Sequence, residues 1–143
     1  HKRPVLVADD SSVARKQVER ALNAIGVSCI LAKDGKEALD MLNDMAKKGP
    51  IAEQIALVIS DIEMPEMDGY TLTAEIRSDP RMQKLHICLH TSLSGVFNQA
   101  MVKKVGADDF LAKFRPDDLA SRVVDRIKAA DHSQGSPLAV KTI

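Results

Sequence analysis

The chain has 143 residues, a length that suits one domain with a real core. Its 20 basic and 20 acidic side chains cancel, and aromatic residues make up 3% with no Trp, which argues against nucleic-acid binding through a bulk field or base stacking. No apolar run approaches the ~20 residues that span a bilayer and no signal peptide is evident, so a cytoplasmic protein without direct membrane insertion is expected.

The chain opens on His1 rather than Met, so residues 1–3 read as a tag or linker remnant on an excised piece. "PVLVA" (4–8) is a short continuous apolar run, the pattern of a strand buried on both faces. Ser11 or Ser12 can cap a helix that places Val18, Leu22 and Ile25 on one side and ends at Gly26. "VSCILA" (27–32) predicts a second strand, and 34–48 a helix through Leu39, Leu42 and Ala46, broken by Gly49-Pro50. "IALVIS" (55–60) is a third buried strand, and 70–78 a helix stopped at Asp79-Pro80. "LHICLH" (85–90) is the fourth strand, followed by a helix over 95–105 through Phe97, Met101 and Val105. "DFLA" (109–112) is a short fifth strand, and 117–130 a last helix through Leu119, Val123 and Ile127. The remainder, 131–143, loses all periodicity and is expected to be disordered, which leaves 4–130 as the domain. Cys29 and Cys88 fall inside strand-like runs and read as buried thiols; nothing in their spacing suggests zinc.

Strand and helix alternate five times, which predicts an α/β doubly wound parallel sheet in a single domain. For five units the flavodoxin-like order 2-1-3-4-5 is common, and ligands bind at the carboxyl ends of the strands where the order reverses. Strand 1 ends in Asp9-Asp10, strand 3 in Asp61, strand 4 in Thr91-Ser92 and strand 5 in Lys113. Singly, each reads as a turn, cap or solvated residue. Together they put three carboxylates within reach of one another, where each pair repels by roughly 3 kcal/mol at an effective dielectric near 20. Such a cluster binds a cation or carries raised pKa values. Oxygen ligands without His or Cys select a hard ion, Mg²⁺ or Mn²⁺. A carboxylate with such a metal on one side and a lysine on the other can attack a phosphoryl group, and Thr91 can hydrogen-bond the product. The residues therefore describe a domain that phosphorylates its own aspartate.

"VADD", "SDIEMPEMDG", "HTS" and Lys113 at these strand ends resemble the receiver domain of two-component response regulators over about 4–130. The resemblance implies a CheY-like fold with Asp61 as phosphoacceptor. It implies Mg²⁺ held by Asp9, Asp10, Asp61 and the backbone carbonyl of Glu63, with Thr91 and Lys113 on the phosphoryl group. It also puts Phe110 at an aromatic switch position, although a plain core role for Phe110 stands beside that one. "DIEMPEMDGYTLTAEIR" and "LHTSLSGVFNQAMVKKVGADDFLAKF" are most similar to the receiver of CheV-type chemotaxis adaptors. That similarity implies a CheA-like histidine kinase as phosphate donor and a covalently linked CheW-like coupling domain absent from this chain. Two departures stand out: Phe114 rather than Pro follows Lys113, and "NDMAKKGPIAEQ" before strand 3 is longer than usual. Leu93 and Glu63 flank the site, for which slow to moderate dephosphorylation is expected.

Two other readings compete. A haloacid-dehalogenase-type hydrolase needs Asp-x-Asp after the first strand, whereas here the nucleophile follows the third and the residue two further on is Glu63. A phosphorylation-independent pseudo-receiver used for docking conflicts with the full set of Asp9, Asp10, Asp61, Thr91 and Lys113.

Overall fold

Five parallel strands form one sheet in the order β2-β1-β3-β4-β5, the order expected from the alternation. The computed structural model describes residues 3–92, 99–113 and 115–142, with backbone alone at 99 and 130–142. The strands are β1 (Val5–Ala8), β2 (Cys29–Ala32), β3 (Leu57–Asp61), β4 (Ile87–Thr91) and β5 (Asp109–Ala112). The helices are α1 (Ser12–Asn23), α2 (Gly35–Lys48), α3 (Gly69–Ser78), α4 (Gln99–Val105) and α5 (Pro116–Thr142). A parallel sheet needs a crossover after each strand, and these helices supply it, covering both faces.

Strand periodicity divides the core. Val5 and Val7 of β1, with Leu57 and Ile59 of β3, pack beneath α1 and α5 against Val18, Leu22, Leu119 and Val123. Leu6 and Ala8, with Val58 of β3 and Leu89 of β4, pack on the opposite face against Leu42, Leu72, Ile76 and Val102 of α2, α3 and α4. Side chains that alternate between two covered faces are mostly apolar, which is why the strands read as hydrophobic runs up to their polar carboxyl ends. Cys88 is buried in the first of these clusters and its thiol is pushed up to about 12 by burial. Cys29 is only partly buried, with its thiol raised to about 11.

Among the described residues, three helices show side-chain N-caps. Ser11 accepts from the Ala14 amide at 3.1 Å, Asp34 from Glu37 at 2.8 Å, and Asp68 from Thr71 at 2.7 Å. The long connection before β3 resolves into the fourteen residues of α2 and a single 3₁₀ turn, Ile51–Glu53. The turn buries Ile51, and the Gln54 amide donates to the carbonyls of Met45 and Gly49 at 2.7 and 3.0 Å, closing the end of α2. Helical backbone in α5 reaches Thr142, past the boundary at 130 where the sequence pattern stops. Extending an existing helix needs no new nucleus, so loss of periodicity alone does not end one. Of the helix expected over 95–105, residues 95–98 including Phe97 lie outside the described residues, as do Leu93 and Phe114.

Candidate functional site

Sheet register assembles the site. Ala8 pairs with Ser60 between β1 and β3, so Asp9, the next residue, emerges beside Asp61, the last of β3. Thr91 ends β4 opposite Ala112 of β5, and the following Lys113 amide donates to the Thr91 carbonyl at 2.7 Å. Asp9 is fixed by its surroundings: its Oδ1 accepts from the Ser11 amide at 2.9 Å, and its carbonyl accepts from Arg15 Nη1 at 2.6 Å. Asp61 Oδ1 accepts from the Ile62 amide at 2.8 Å, while the Ser60 hydroxyl donates to the Asp61 carbonyl at 2.8 Å.

Asp9, Asp10 and Asp61 each present a carboxylate oxygen within 4.8 Å of the others. Asp9 and Asp61 are buried, whereas Asp10 is exposed. Lys113 lies between the two buried ones, its Nζ 2.9 Å from Asp9 Oδ2 and 3.1 Å from Asp61 Oδ2. One ammonium thus serves a cluster of three carboxylates. Burial pushes the Asp61 carboxyl up to about 6, and the Asp9 charge adds to the rise against the opposing pull of Lys113 and the Ile62 amide. Hydrogen bonds and attraction from Asp9 and Asp61 raise Lys113 over the opposing effect of its own burial, so it stays charged. His90, the β4 partner of Asp61, is driven down to about 4 by burial and by Lys113, and is neutral at ordinary pH.

The acidic loop after Asp61 sorts into separate jobs. Asp68 is the cap of α3, and Glu66 adopts a positive φ of 67° that turns the chain. Gly69 donates to the Ile62 carbonyl at 2.8 Å, and a Cβ built on it would lie 2.1 Å from the Asp61 carbonyl oxygen. The loop therefore closes on the backbone of Asp61 only with glycine there. Glu63 is exposed and shares the lining of an open cavity of about 520 Å³ with Asp10, Met64, Asp68 and Tyr70.

Five of the residues expected from the sequence converge here: Asp9, Asp10, Asp61, Thr91 by its strand position, and Lys113. Thr91 is buried. Phe110, on β5 opposite Leu89, is half-buried against the cluster beneath α2, α3 and α4. Sequence reasoning missed the clamp of Arg15 on Asp9 and the closeness of Gly69 to Asp61. Arg15 carries a faint signal, lying one turn into the helix that follows the aspartate pair.

Comparison with known proteins places this geometry. Residues 5–124 match the response regulator receiver domain, and the chain belongs to that family. Chemotaxis protein CheV3 of Helicobacter pylori is 32% identical over 127 residues, covering 85% of this chain and 41% of that protein. CheV1 of the same organism is 35% identical over 120 residues, covering 84% and 36%. The chain thus spans well under half the length of these relatives. Among solved structures, chemotaxis protein CheY4 of Vibrio cholerae superposes with a TM-score of 0.72 at 28% identity, covering 89% of this chain and 99% of that one. The fold is CheY-like, and the protein is a receiver domain of the two-component response regulator family.

Proposed function

We propose that Asp61 accepts a phosphoryl group from the phosphohistidine of a chemotaxis-type, CheA-like kinase, and that the domain of 4–130 acts in this way as a switch. The observation that carries the reading is the set of three carboxylates drawn around a single lysine at the carboxyl ends of β1, β3 and β5. An Asp61 oxygen attacks phosphorus, the P–N bond of the donor breaks, and its electron pair returns to the imidazole, which takes up a proton. The product is an acyl phosphate on Asp61.

The donor set suits a hard divalent ion: the ligands are all oxygens, two carboxylates are buried, and their charge exceeds that of Lys113. Asp9, Asp10, Asp61 and the Glu63 backbone carbonyl would hold Mg²⁺, with Mn²⁺ as a substitute. When bound, the ion supplies positive charge for the phosphoryl oxygens. Lys113, already positioned by Asp9 and Asp61, neutralises charge on the same group, and Thr91 donates its hydroxyl to it. Phe110 then follows Thr91 as the packing element that reports phosphorylation. The similarity to CheV proteins supports a chemotaxis role in the cytoplasm beside a CheW-like coupling domain. No described helix is long and apolar enough to cross a membrane.

The test is Asp61→Asn. Mass spectrometry after incubation with acetyl phosphate and Mg²⁺ should show one added phosphoryl group on the native chain and none on the variant. Equal uptake by both would remove Asp61 as the nucleophile.

A further inference from the structure

Between α1 and α5 lies a cavity of about 410 Å³ on the opposite flank of β4 from α3. Its walls are apolar, with Ala14, Val18, Ala21 and Leu119 prominent. Three nitrogen-bearing cations or donors also line it: Arg20, Arg115 and His90, with Gln17 beside them and no acidic residue in the lining. His90 is only 4% exposed, lines this cavity, and its ring has no hydrogen-bond partner among the described residues. The ring is not sealed from the cleft, so it offers a donor and an acceptor to whatever enters there. Arg115 is 3.6 Å from Asp118 with both side chains well exposed, whereas Arg20 makes no ion pair among the described residues.

We infer that this cleft is a binding site for a small organic carboxylate with a compact apolar body. The apolar walls take the body, the His90 N–H donates to the carboxylate, and Arg20 with Arg115 supplies the positive charge that the lining lacks any acid to cancel. The volume suits a small ligand, and the cleft reaches the sheet at His90. A ligand there rests on the strand that pairs His90 with Asp61 and ends in Thr91. This inference stands on the cavity and does not depend on the phosphorylation reading.

The experiment follows backbone amide shifts of the whole chain titrated with benzoate and with indole-3-acetate, and with benzamide as the uncharged control. At least one carboxylate should give saturable shifts centred on Val18, His90 and Leu119, with benzamide about ten-fold weaker. His90→Leu and Arg20→Gln should each weaken the carboxylate about ten-fold. Arg20 is exposed, so its variant carries the test even if the His90 variant does not fold. Absence of saturable shifts with both carboxylates, equal affinity for benzamide, or shifts centred on Asp9 and Asp61 would each overturn the inference. So would a response confined to an amphipathic peptide, which would make the cleft a docking groove.

Discussion

Charge is partly or wholly buried at both ends of this sheet, and the two ends treat it differently. Near the amino end of β4, Arg77 is fully matched: Nε donates to Gly106 O at 2.7 Å, Nη1 to Gln83 O and Leu85 O at 2.9 and 2.6 Å, and Nη2 to Asp108 at 2.7 Å. Asp108 also accepts from the Ile87 amide at 2.8 Å. At the carboxyl end, three carboxylates cluster while Lys113 pairs with only two of them, and Asp61 is pushed toward protonation. A matched network ties α3 and β4 together and serves the fold. An unmatched one costs stability and persists where a further cation or a reacting group completes it.

The contrast can be broken by substitution, beginning where backbone is at stake. Gly69→Ala drives a methyl into the Asp61 carbonyl, so the loop must shift; a loss of about 3 kcal/mol in urea unfolding is expected, together with loss of phosphate uptake. Full stability and uptake in this variant would show that the loop does not depend on the close approach.

Arg77→Ala should cost about 2 kcal/mol, since it removes hydrogen bonds to three carbonyls and to Asp108, which keeps the Ile87 amide, and it should leave phosphate uptake by the folded fraction unchanged. A variant as stable as the native chain would mean that the matched end is not a structural tie.

Asp61→Asn should act in the opposite sense. The folded carboxyl titrates at about 6 against an ordinary 3.8, so the folded state binds the proton more tightly than the unfolded one. Stability therefore falls as pH rises through that window, and the cost is fully present above it. Without added metal, Asn should stabilise the fold by about 1–2 kcal/mol at neutral pH and flatten the dependence between pH 4 and 6. Destabilisation at neutral pH would show that Lys113 holds Asp61 more strongly than burial and Asp9 oppose it.

Much of the carboxyl end was legible in the sequence, because a parallel sheet delivers whatever residue follows each strand to one edge. Asp9, Asp10, Asp61, Thr91 and Lys113 needed only strand boundaries to be grouped. The amino end was not legible. Arg77 reads as a solvated charge in the last turn of a helix, and its partners Gly106 and Asp108 lie 29 and 31 residues further on. The 3₁₀ turn at Ile51–Glu53 and the Gln54 cap escaped for the same reason, since both depend on tertiary packing. His90 looked like one more residue of a buried strand, and only the helices above it reveal a cavity there. Loss of periodicity after 130 likewise did not predict where helical backbone ends.

The central claim is that the unmatched carboxylates at the strand ends are completed by a divalent cation and a phosphoryl group. Backbone amide shifts recorded while Mg²⁺ and then beryllofluoride, a phosphoryl mimic, are added test it most directly. Mg²⁺ should perturb Asp9, Asp10 and Asp61, and beryllofluoride should extend the change to Thr91, Lys113 and Phe110. Shifts that ignore Mg²⁺, or that persist unchanged in Asp61→Asn, would contradict the account.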